Sequence, residues 1–332
     1  MRKPDFDNIL KVLNREKPDR PTLFEFFLNG PLYERLGGVA GNRFMEAFRR
    51  AGYDYCTFHA GFSFTTGERA HDKSISLNEG ALITDRESFK KYVWPVVEDS
   101  DYDVLARVAP EIPAGMKLIV PGPGGVLENI IRIVGYDNLC MMLYDEPELA
   151  QEVTDNVGSR LVRHYEIVGK YDTVGAMISN DDWGFRSQPM LSPDDMKKYI
   201  IPWHVKIAEA IHSHGKPAIL HSCGNQESLM ESIIDVCKYE GKHSYEDTIE
   251  PVEAAYERWG SRIAILGGID LDFVCRKTPE EVYQRSRAML ERAEKRGGYA
   301  LGSGNSIPEY VPQENYFAMI SAAVGKIDLS LS

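Results

Sequence analysis

The 332-residue sequence has no apolar run near the roughly 18 residues that cross a bilayer, and Met1 to Asn8 lack the apolar segment of a secretory signal. The expectation is a cytoplasmic protein with no membrane partner. Cysteine is scarce and scattered: Cys56, Cys140, Cys223, Cys237 and Cys275 are odd in number and form no CxxC pair. That pattern argues against a disulfide framework and against a self-contained four-cysteine zinc module. No block of Lys or Arg interrupts a net charge of −12, so nucleic acid and anionic membrane are poor partners, both being held mainly through basic patches. The Gly-rich stretch Pro121 to Gly125 lacks the Lys and the spacing of a phosphate loop and reads as a tight turn.

What the chain does contain is 43% hydrophobic residues, enough for a sizeable core, gathered into eight short apolar runs. These are 22–27, 53–59, 117–120, 174–179, the stretch from Lys216 into His221, 237–243, 263–270 and 299–301. Between most of them lie segments of helical periodicity, at 42–50, 126–134, 145–170, from Ser192 to about His214, 226–236 and from Thr278 to about Arg296. Further helices are expected at 5–16 and from Pro312. Ser192-Pro193-Asp194-Asp195 and Thr278-Pro279-Glu280-Glu281 have the cap, the Pro and the acidic third position of helix starts. His164, His204, His212 and His214 fall on these helices and are expected to face solvent. The polar excursion from Ala60 to about Val96, which contains His71, is too long for a simple connection and reads as a lid, binding loop or short hairpin. Strand and helix alternate with short connections, the pattern of a parallel α/β fold, and eight repeats favour a (β/α)8 TIM barrel built as one domain over 1–332.

Such barrels carry their sites at the C-terminal ends of the strands. His221 and Cys223 end the fifth run two positions apart, so on a strand both face one way, and an imidazole beside a thiol is the beginning of a zinc site. The structural alternative is a buried His and an inert Cys beside a turn. Asp181 and Asp182 end the fourth run, where paired carboxylates serve as acid or base, or as loop caps. Glu25 is a carboxylate inside an apolar run and a further catalytic candidate. His59, Trp183, Phe185, His243, Ser303 and Asn305 are candidates for a substrate pocket, against the plainer reading of rim and packing residues.

Residues 180–225 run Asn-Asp-Asp-Trp-Gly-Phe, then Ser-Pro-Asp-Asp-Met, Ile-Pro-Trp-His and Ala-Ile-Leu-His-Ser-Cys-Gly-Asn. With Leu301-Gly-Ser-Gly-Asn-Ser-Ile-Pro and Val311-Pro-Gln-Glu-Asn, they resemble the uroporphyrinogen decarboxylase superfamily. The resemblance implies a (β/α)8 fold. It leans toward the superfamily's zinc-dependent, corrinoid-linked methyltransferases, because Phe26-Phe27-Leu28-Asn29-Gly30 lacks the arginine pair of the decarboxylases. The second run also ends in Cys56-Thr57-Phe58-His59, where the decarboxylases have an acidic residue. In those methyltransferases a His-x-Cys, matched here by His221 and Cys223, and a later Cys hold zinc. Ser303 stands at the place of the later Cys, so a third donor is sought in Glu240, ahead of His243 or another rim carboxylate, the alternative being a site that holds no metal. The implied activity moves a methyl group between a small methylated compound, such as a methoxylated aromatic, thiol or amine, and a corrinoid on a partner protein. Decarboxylation of uroporphyrinogen or another carboxylate, and a non-catalytic ligand-binding barrel, are the alternatives.

Overall fold

A computed structural model describes residues 2–37, 42–65, 77–78 and 80–327. Its centre is a seven-stranded parallel sheet in strict sequence order. The strands are β1 (Tyr55–Thr57), β2 (Lys117–Pro121), β3 (Val174–Asn180), β4 (Ala218–His221), β5 (Gly241–His243), β6 (Ala264–Leu266) and β7 (Tyr299–Ala300). Each corresponds to an apolar run of the sequence, and their side chains are almost wholly buried, as expected of parallel strands covered by helices on the outer face. Met177, Ile178, Ile219, Leu220 and Ile265 are fully enclosed. Each such side chain contributes about 1.5–3 kcal/mol relative to exposure.

The expected first strand, 22–27, is reduced to one parallel bridge, Leu23 to Leu301, with Phe24 N–H donating to the Leu301 carbonyl and Leu301 N–H to that of Thr22. It therefore lies beside β7. On its other side it meets β1 through side chains, the Tyr55 hydroxyl accepting from Glu25 N–H and donating to the Glu25 carbonyl while the Phe24 ring packs on that of Tyr55. The architecture is thus a parallel α/β fold of seven strands, and the sheet is not seen closed by a backbone ladder into an eight-strand ring. The excursion after β1 is described only in part, and His71 lies outside the described residues.

Side-chain caps fix several helix starts. Thr278 and Glu281 form the expected capping box, Glu281 N–H donating to Thr278 Oγ1 and Thr278 N–H to the Glu281 carboxylate. Ser192 caps its helix through Asp195 N–H. The helix expected from Ser192 to His214 is interrupted by a wide turn at Met196–Ile200 before continuing as Ile201–His212. Pro202, which has no N–H to give, accounts for the break. Residues 226–236 form two short turns in place of a regular helix.

Two helical histidines expected at the surface are instead fully buried. His164 pairs its Nδ1 with the Tyr102 hydroxyl at 3.0 Å, and His204 joins Asp181 and Tyr239. Both sit on helix faces turned to the sheet, where a polar partner offsets the cost of burial. His212 and His214 are half-exposed. At the opposite end of the sheet, buried Asp54 accepts from Arg2, Arg20 and Asp5 N–H and ties the N-terminal segment to the base. Among the described residues, no helix is long and apolar enough to cross a membrane.

Register decides what meets at the other end. Asn180 pairs with His221, His221 with His243, and His243 with Leu266, so four strand ends lie in one row. The residues that follow, Asp181, Asp182, Cys223 and Ser244, form the rim above that row.

Candidate functional site

Asp182, His221 and Cys223 each present one donor atom, and the three atoms lie within 4.8 Å of one another. His221 Nε2 is 3.8 Å from Cys223 Sγ, and Asp182 Oδ1 accepts the Cys223 N–H at 2.8 Å, pinning the thiol loop to the β3 rim. Sγ in turn accepts from Ser244 Oγ at 3.3 Å and from Asn305 Nδ2 at 3.1 Å. Two donors aimed at one sulfur suit a thiolate. Burial and the nearby Asp182 carboxylate nonetheless push the Cys223 thiol well up, so on its own it keeps its proton. A bound cation reverses that balance. Burial holds His221 down, to about 4, leaving it a neutral imidazole. Phe26 packs on its face at 4.5 Å between ring centres, Phe27 lies 4.0 Å beyond, and exposed His59 stacks on Phe27 at 4.8 Å. An aromatic ladder thus runs from the imidazole to the surface.

Carboxylate, imidazole and thiolate form a three-donor set of the kind that holds zinc with one position left open. The residues therefore fit the ion. Glu240 does not join them: it stands just before β5, at the N-terminal end of the sheet, where its carboxylate accepts Ala218 N–H at 2.7 Å and pairs with His212. The carboxylate beside the His-Cys pair comes from β3, through Asp182.

Asp181, its neighbour in sequence, is fully buried and does different work. Its carboxylate accepts the N–H groups of Leu127 and Glu128, capping the Val126–Val134 helix, and receives Trp183 Nε1–H at 2.9 Å with His204 Nε2 at 2.8 Å. Gly125 is where the two elements nearly touch. A side chain there would place its first carbon 2.1 Å from the Asp181 Cβ. Trp183, also fully buried, is enclosed against His204 and does not line an open pocket. Phe185 is partly exposed and meets Tyr136 edge to face.

Glu25 and Ser303 face each other beneath the rim. Ser303 N–H donates to Glu25 Oε1 at 2.6 Å, and Ser303 Oγ lies 2.7 Å from both Glu25 Oε2 and the Asn305 carbonyl. Burial outweighs these bonds and raises Glu25 to about 8, so at neutral pH it carries a proton. Ser303 Oγ donates to the Glu25 carboxyl and also lies within reach of the Asn305 carbonyl. This chain orients the loop whose Asn305 reaches Cys223. Because Glu25 holds its proton up to about 8 in the folded state and loses it near 4.5 when unfolded, the native state binds more protons across that window. Stability is therefore expected to fall as pH rises from about 4.5 to about 8. Urea unfolding of wild type and Glu25→Gln across this range checks it, the substitution flattening the slope.

Three further residues shape the site without being singled out as site candidates by the sequence. Lys242, buried with its ammonium over the Tyr245 ring, donates to the Ser244 carbonyl at 2.8 Å; burial lowers it to about 8. Ser244 takes φ of 85°, a turn that aims its hydroxyl at Cys223. Glu128 is raised to about 8 by burial and by the carboxylates of Asp181 and Asp182. Of the three, only Lys242 left a trace, as a charged residue in an otherwise enclosed strand.

Fold and rim together define a parallel α/β protein that gathers its polar chemistry on the loops following the strands. Residues 97–325 match the uroporphyrinogen decarboxylase (URO-D) family, and the chain belongs to that family. A methylated-thiol–coenzyme M methyltransferase of Methanosarcina mazei is 25% identical over 209 residues, 63% of this chain and 53% of the relative. A uroporphyrinogen decarboxylase of Anaeromyxobacter dehalogenans is 25% identical over 192 residues, 57% of this chain and 51% of the relative. The matched stretch thus spans about half the length of these curated relatives. Among solved structures, a methyltransferase from Methanosarcina mazei superposes with a TM-score of 0.67 at 14% identity, covering 95% of this chain and 96% of that one. At that identity the likeness concerns the fold.

Proposed function

We propose that this chain is a methyltransferase whose Asp182, His221 and Cys223 hold a zinc ion, moving a methyl group between a small methylated substrate and a corrinoid carried by a separate protein. The observation that carries the reading is the convergence of three unlike donors at adjacent strand ends, with two hydrogen bonds directed at the sulfur. The likeness to a methyltransferase that acts, by its name, on methylated thiols supports the reaction class. Zinc bound there supplies a Lewis acid for the heteroatom that gives or takes the methyl group. Asp182 contributes charge and fixes the Cys223 loop, His221 contributes a neutral nitrogen, and Ser244 and Asn305 hold the sulfur in place. Phe26 and Phe27 keep water from one side of the group. The same proposal takes 1–332 as one domain and closes a (β/α)8 ring through the first run, bridged to β7 at Leu23–Leu301 and meeting β1 through the Tyr55 hydroxyl at Glu25. The mouth of the site supports methyl transfer over uroporphyrinogen decarboxylation, because aromatic rings stand where a polycarboxylate would need cations.

Metal analysis of protein purified without chelator tests this directly. Zinc is expected at one per chain and is expected to be lost in both His221→Ala and Cys223→Ala. Well-folded wild-type protein without zinc, and unable to take it up, would overturn the metal reading.

A further inference from the structure

His221 Nδ1 and His243 Nδ1 face each other at 2.8 Å, both rings buried and tilted 40° to one another. Two ring nitrogens at that distance need one proton between them, and its position has two outcomes. On His243, it makes His221 Nδ1 an acceptor and puts the remaining proton of neutral His221 on Nε2, the atom turned toward Cys223. On His221, it leaves Nε2 bare and able to bind a metal. The side of His221 turned away from His243 decides between them. Its Nε2 faces Cys223 Sγ at 3.8 Å, in the group that Asp182 completes. A metal held there needs that nitrogen bare, which puts the proton of neutral His221 on Nδ1 and makes His243 Nδ1 its acceptor. The proton of neutral His243 then lies on Nε2, which has no hydrogen-bond partner among the described residues.

We propose that His243 is a positioning residue that fixes His221 as the Nδ1–H tautomer and thereby leaves His221 Nε2 free to bind a metal beside Asp182 and Cys223. The inference rests on the metal reading above and adds to it a residue that touches neither metal nor substrate. Partners that orient metal-bound imidazoles in this way are commonly carboxylates or carbonyls. Here the partner is a second imidazole, itself held edge to face against the Phe24 ring.

The test uses Co2+ as a spectroscopic probe in the full chain. In His243→Phe, which keeps a ring but offers no acceptor, Co2+ affinity is expected to drop about 10- to 100-fold. In His243→Asn, whose side-chain oxygen reaches the place of Nδ1, most of that loss should be recovered. Nitrogen-15 NMR of the wild-type imidazoles without metal provides an independent readout, expected to show the Nδ1–H tautomer for His221 and the Nε2–H tautomer for His243. A folded His243→Phe protein binding Co2+ as wild type does would overturn the proposal, as would an Nε2–H tautomer at His221. Wild-type protein that binds no Co2+ yet shows the expected tautomers would refute the metal reading while the imidazole pairing stood.

Discussion

Asp182→Asn is expected to strip the protein of stoichiometric zinc while leaving it folded. The amide oxygen still accepts the Cys223 N–H, so the loop holds its place, but the anionic donor is gone. Removing a residue that only orients a metal ligand typically costs about 10- to 100-fold in affinity, and loss of a ligand should cost at least that much. Competition with a chromogenic chelator measures the change, and circular dichroism establishes that the fold survives. Unaltered zinc affinity would exclude Asp182 from the donor set.

The neighbouring substitution should behave in the opposite way. Asp181→Ala removes the acceptor for Leu127 N–H, Glu128 N–H and Trp183 Nε1–H and leaves His204 without its carboxylate, all in the interior. Breaking a buried, hydrogen-bonded charge in this way costs about 3–5 kcal/mol. Urea unfolding should show the midpoint moving sharply down, whereas zinc content, in whatever fraction stays folded, is retained. Loss of metal with stability unchanged would mean that the two aspartates have exchanged roles.

That contrast marks where the sequence is legible and where it is not. Six of the seven strands announce themselves as apolar runs, because parallel strands enclosed on both faces favour hydrophobic side chains, whereas β5, Gly241-Lys242-His243, is weak on its own and is placed by the alternation of strand and helix. Placing the site at their C-terminal ends follows, and with it the nearness of Asp182, His221, Cys223, His243, Ser303 and Asn305. The first run reads as a full strand because Leu23, Phe24 and Phe26 are apolar. In the structure it keeps one bridge to β7 and leans on the Tyr55 hydroxyl.

Distances along the other axis are harder to read. Glu240 and His243 lie three residues apart, yet β5 separates them by the length of the strand, and Glu240 ends up with His212 at the base. No pattern of residue types distinguishes Asp181 from Asp182 either. Which one turns into the interior depends on the backbone at the end of β3 and on the close approach of Gly125. The buried positions of His164 and His204 were hidden for a similar reason, since helical spacing tells that a face exists but not what polar partner waits beneath it. The turn at Ser244 depends on a backbone angle that its side chain does not encode.

The bridge between the first run and β7 has a consequence for the order in which the molecule assembles. His221 and His243 are 22 residues apart, Asp182 and Cys223 41, and Cys223 and Asn305 82, whereas Glu25 and Ser303 are 278 apart. For a flexible chain the length-dependent entropy of closure is about 3 kcal/mol over 22 residues and about 5 kcal/mol over 278. The three donors, supplied by the ends of the adjacent parallel strands β3 and β4 within one βαβ unit, can therefore come together while the two ends of the protein are still apart. Ser303 becomes locked only when the first segment arrives against the last strand, so the nascent protein presents its donors before it has finished enclosing them.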